Sequence, residues 1–62
     1  MELERYQVWF TNDHTDLFED FEDAYAFAIE NNGIEIEKLV WNNEEDYFNY
    51  EMADDFITVW RK

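Results

Sequence analysis

Sixty-two residues carry 17 Asp and Glu against 4 Lys and Arg, a formal charge of −13. A chain of this length forms one domain, residues 1–62, with one small core. The absence of cysteine excludes disulfides, a thiol nucleophile and a cysteine-based zinc site, and four scattered basic residues argue against direct nucleic-acid binding.

Charge alone favours disorder, but 47% hydrophobic and 21% aromatic residues supply enough buried surface for a fold. From Glu4 to Thr11 the chain alternates, with Tyr6, Val8 and Phe10 on one face and Gln7, Trp9 and Thr11 on the other, which predicts a strand. Asn12, Asp13 and His14 predict a turn, because short polar side chains bond the local backbone and tolerate left-handed geometry.

Residues 15–19 admit two readings. A short returning strand over Thr15 to Glu19, with the helix opening at Asp20 as N-cap and Asp23 at N3, is preferred to a helix starting at Asp16. In either case Phe21 to Asn31 is helical, with Phe21, Tyr25, Ala28 and Ile29 as the expected core face. Asn31, Asn32 and Gly33 end the helix, and the sole glycine is the expected left-handed cap.

Ile34 to Trp41 alternates again and predicts a strand; Asn42 and Asn43 predict a turn. The acidic run Glu44, Glu45 and Asp46 leads into Tyr47 to Met52, whose alternation of Phe48, Tyr50 and Met52 reads as a further strand. After Asp54 and Asp55, the β-branched and aromatic residues Phe56 to Trp60 predict the last strand. The expected fold is α+β: a small antiparallel sheet of three to five strands, in the order ββαββ, with one helix on one face.

Chemistry is sparse. There is no Ser, only three Thr and one His, so a nucleophilic triad would have to be built around a turn histidine, His14. Asn12, Asp13 and Asp16 lack the glycine of a calcium loop, and the consecutive carboxylates of Glu44 to Asp46 and of Asp54 and Asp55 diverge. No catalytic residue, metal ligand or cofactor is expected. No apolar run reaches membrane-spanning length, and the residues from Met1 to Glu4 lack the pattern of a signal peptide, so a cytoplasmic protein is expected.

The charge is clustered, at Glu19, Asp20, Glu22 and Asp23, at Glu35 and Glu37, at Glu44, Glu45 and Asp46, and at Asp54 and Asp55. Acids at a helix start offset the macrodipole, but that accounts for the first cluster only. A magnitude of 13 exceeds the roughly 2–8 that keeps a small domain soluble. Glu35 and Glu37 on one strand face lie about 7 Å apart, comparable with successive phosphates. These carboxylates, with Trp41, Tyr47 and Tyr50 as aromatic anchors, are the expected partner-binding residues.

In size, acidity, lack of cysteine and short strand–helix–strand organisation, the chain resembles small acidic inhibitors that bacteriophages and mobile elements encode against host defence. These include anti-CRISPR proteins and DNA-mimicking inhibitors of nucleases and uracil-DNA glycosylase. The resemblance is one of overall character, so it assigns no residue. It implies a non-enzymatic viral protein in the host cytoplasm that occupies the nucleic-acid site of a basic nucleic-acid-processing protein. The alternative is an aromatic-rich protein–protein interaction module or homodimeric adaptor whose charge serves solubility.

Overall fold

Four strands and a helix follow one another as β1 (Leu3–Trp9), β2 (Thr15–Phe18), α1 (Phe21–Asn31), β3 (Glu35–Trp41) and β4 (Asp55–Arg61). The computed structural model describes residues 3–47 and 49–62, with Tyr50 described by its backbone alone. The strands form one antiparallel sheet in the order β2-β1-β3-β4, with α1 packed on one face, an α+β fold of the expected ββαββ order.

The β1–β2 hairpin is the preferred of the two readings of residues 15–19, with Tyr6 opposite Phe18 and Trp9 opposite Thr15. Its turn works as the polar residues suggest: Asp13 adopts a left-handed φ of 64°, and the Asn12 side chain accepts a hydrogen bond from the His14 amide at 3.1 Å. Asp20 is the N-cap of α1, its carbonyl accepting from the Ala24 amide at 3.1 Å, while its carboxylate makes no capping bond.

Two expectations about the helix are corrected. The residues sealed against the sheet are Ala24 and Ala28, which pack with Val8 and Ile36; Phe21, Tyr25 and Ile29 remain 36%, 42% and 55% exposed. Two alanines let the helix approach the strands closely, and this turns its larger side chains to the rim. There Phe21 meets the Tyr6 ring and Tyr25 meets Trp60, both edge-on, with centroids 5.8 Å apart in each pair. The left-handed cap is Asn32, at φ 61°, rather than Gly33. Gly33 serves close packing, since a Cβ there would lie 2.9 Å from both the Ala28 Cβ and the Val8 Cγ1.

A third correction concerns residues 47–52. Among the described residues of this range no strand forms, and the connection contains two 3₁₀ turns, Glu44–Asp46 and Tyr50–Met52. Side chains of Asn43 and Asn49 accept hydrogen bonds from the Glu45 and Glu51 amides, at 3.0 and 3.2 Å, which supplies the backbone with local partners in place of a ladder. Phe48, part of that predicted strand, lies outside the described residues. The connection is tied at its ends, where the Asp54 amide donates to the Val40 carbonyl at 2.8 Å and the Asp54 carboxylate accepts from the Asn42 amide at 2.6 Å.

This connection covers part of the sheet face opposite the helix. Trp41 is 1% exposed beneath it, edge-on to Tyr47 at 5.3 Å, with its indole N–H donating to the Asn49 carbonyl at 3.1 Å. Arg5 holds Tyr47 in turn, its Nε donating to the phenol oxygen at 3.1 Å and its guanidinium lying 4.8 Å from the ring centroid. Leu39 is fully buried on the same face.

Candidate functional site

Strand directions decide where the carboxylates gather. β1 begins level with the end of β3, where Leu3 pairs with Trp41, and β4 begins there too, where Asp55 pairs with Val40. β2 also ends towards this side, delivering the chain to the start of α1. One end of the sheet therefore collects Glu4, the β2–α1 acids Glu19, Asp20, Glu22 and Asp23, and the acids of the β3–β4 connection, Glu44, Glu45, Asp46, Asp54 and Asp55.

Among the described residues two cationic side chains answer those ten carboxylates at this end. Lys38 pairs with Glu4 at 3.1 Å, and Arg5 reaches Glu19 at 3.9 Å. The opposite end carries Asp13, Asp16, Glu30 and Glu35 alongside Arg61, Lys62 and His14. There Arg61 donates from Nε and a terminal nitrogen to the Glu35 carboxylate at 3.2 and 3.0 Å, and His14 lies 3.0 Å from Asp16. The domain is charge-polarised along its strands.

The expected site residues divide accordingly. Glu19, Asp20, Glu22, Asp23, Glu44, Glu45, Asp54 and Asp55 are exposed at the acidic end, and Asp46 is half-buried beside them. Glu35 and Glu37 are half-buried and already engaged, Glu35 by Arg61 and Glu37 by the Trp9 indole N–H, which donates to it at 2.6 Å. They do not form a free pair of phosphate-like charges. Trp41 is no surface anchor, because the 3₁₀ connection seals it, and Tyr47 is its half-buried cover. The side chain of Tyr50 lies outside the described part of the molecule.

What sequence reasoning missed is the gathering itself, because clusters separated along the chain share an end only through the strand order. The only legible signal was that each cluster sits at an element boundary. Among the described residues no three His, Asp or Glu side chains converge in a way that would hold a metal ion, and no helix is long and apolar enough to cross a membrane. Comparison with protein-family models, curated proteins and solved structures finds no match to this chain.

Proposed function

We propose that this protein is a non-enzymatic acidic inhibitor that occupies the basic groove of a nucleic-acid-processing protein, such as a host-defence nuclease or CRISPR effector, and blocks nucleic-acid access. The observation that carries the reading is the polarisation: among the described residues, ten carboxylates against two cationic side chains at one end of the domain. The longest dimension is 32 Å, so thirteen net charges amount to one per about 2.5 Å, against one per ~1.7 Å of B-DNA axis. Averaged over the molecule the density is about two-thirds that of duplex DNA, and it rises at the acidic end. A field of this shape steers the domain end-first towards a positive groove, with association that weakens as salt screens it. Its site of action on this reading is the cytoplasm of the host cell.

Displacement from DNA tests the proposal. A bacterial lysate is bound to DNA-cellulose at ~50 mM salt, where phosphate contacts are strong, and eluted with the purified chain. The expected result is release of a discrete basic protein that the Glu19→Gln, Glu22→Gln, Asp23→Asn variant fails to release. Release of the same proteins by polyglutamate at equal charge would contradict it, as would no release.

A further inference from the structure

The 3₁₀ connection covers only part of the second sheet face. Beyond it lies an open groove of about 410 Å³, floored by Gln7, Trp9 and Glu37 and flanked by Phe56. Glu51 reaches it from the second 3₁₀ turn, and Asp13 and Thr15 from the hairpin. Three carboxylates thus surround the groove, and none of the chain's basic residues lines it. Arg61 engages Glu35 and Arg5 engages Tyr47.

Gln7 is the second, independent observation. It is 3% exposed, the one buried polar residue among those described, and its side-chain amide enters no hydrogen bond within the described structure. Among the described residues no side-chain nitrogen or oxygen that is sealed from solvent lacks a partner, so the amide opens onto the groove that it lines. A nearly buried amide without a partner is costly unless something completes it. Beside it the Trp9 indole fixes Glu37 through one carboxylate oxygen, at 2.6 Å.

We infer that this groove is a receptor for an arginine side chain of the basic partner. A guanidinium is planar and carries a fork of donors, which matches the Gln7 carbonyl oxygen beside the Glu37 carboxylate, with the Trp9 and Phe56 rings as apolar walls. Among the described residues no three carboxylates are grouped so as to hold a metal ion, whereas a guanidinium with its aliphatic stem suits an open groove of this size. Together with the acidic end, which attracts, the groove supplies an anchor at a defined point.

The occupant's identity rests on the proposed recognition of a basic protein, but the notch can be read without any partner. Agmatine, a guanidinium on a four-carbon stem, is titrated into the isotope-labelled full chain while the Trp9 indole N–H and the Gln7 amide resonances are followed. The expected result is a saturable shift of both, weakened at least fivefold by Glu51→Gln or Glu37→Gln. Glu44→Gln, an equal charge change on an exposed residue outside the groove, leaves the affinity within twofold, and n-butylammonium binds at least fivefold more weakly than agmatine. The inference is overturned if the two resonances do not saturate, if butylammonium matches agmatine, or if Glu44→Gln weakens binding as much as Glu51→Gln. Because no partner is present, failure to displace a DNA-bound protein leaves the agmatine result standing, and the reverse.

Discussion

The two faces of the sheet are covered by different means. On one, an 11-residue helix lies on Val8 and Ile36 through Ala24 and Ala28, with rings of Phe10, Phe18 and Phe27 clustered beside them. On the other, a connection of two 3₁₀ turns seals Trp41 and leaves the groove open. A helix brings a continuous apolar stripe and satisfies its own backbone, so it closes a face along its length. A short irregular loop has no such stripe; among the described residues its contacts centre on Trp41. The incompletely covered face is where the polar Gln7 and Glu37 can lie on the strands, and hence where a ligand can be received.

Substitutions can break this contrast, the largest effect being expected at Trp41. Trp41→Ala removes the ring that the connection is built around and should cost about 3–5 kcal/mol, enough to abolish cooperative unfolding in a domain this small. Denaturant titration followed by circular dichroism would measure it; a loss below ~1 kcal/mol would mean that the connection does not depend on its tryptophan. Next is Gly33→Ala, which presses a methyl group against Ala28 and Val8 on the helix side. It should cost about 1–3 kcal/mol through overpacking, read as a lower denaturation midpoint.

Smaller effects sharpen the distinction between core and rim. Ile29→Ser, on the half-exposed helix flank, should change stability by no more than ~0.5 kcal/mol although a periodicity argument places Ile29 in the core. A melting temperature lowered as far as by Gly33→Ala would restore the helix face read from the sequence. Screening the charge should act in the opposite sense: raising salt from ~20 to ~300 mM relieves self-repulsion and should raise the melting temperature modestly. A fall over that range would mean that the Arg61–Glu35 and Lys38–Glu4 pairs outweigh the repulsion among the carboxylates.

Much of the fold was legible because its signals are local. Alternation gave β1 and β3, β-branched and aromatic residues gave β4, the Asn12 to His14 turn gave the hairpin, and Asp20 marked the helix start. Of the expected helix face Ala28 is buried, while Phe21, Tyr25 and Ile29 lie at the rim. Phe21, Tyr25 and Ile29 do share a stripe, but close approach to a sheet selects small residues, and Ala24 with Ala28 offered it. Residues 47–52 alternate like a strand, yet Asn43 and Asn49 cap 3₁₀ turns and Trp41 needs a cover. Neither competing demand shows in a two-residue period.

The candidate site was legible in its residues and not in its arrangement. Each acidic cluster could be named from the sequence, but the convergence of three of them, without Glu35 and Glu37, depends on β2, β3 and the β3–β4 connection all turning at one end. The groove was less legible still. Gln7, Trp9 and Glu37 are ordinary strand residues until the register sets Gln7 opposite Glu37 and the connection stops short of them.

The central claim is that the location of charge, and not its total, defines recognition. It is tested most directly by comparing two double variants with the same change in net charge in the DNA-displacement assay across a salt series. Glu22→Gln with Asp23→Asn neutralises the acidic end, and Asp16→Asn with Glu30→Gln neutralises the opposite end. The account predicts that the first variant loses most of its displacing activity and salt sensitivity, while the second stays close to the unmodified chain. Equal losses in the two variants would contradict it.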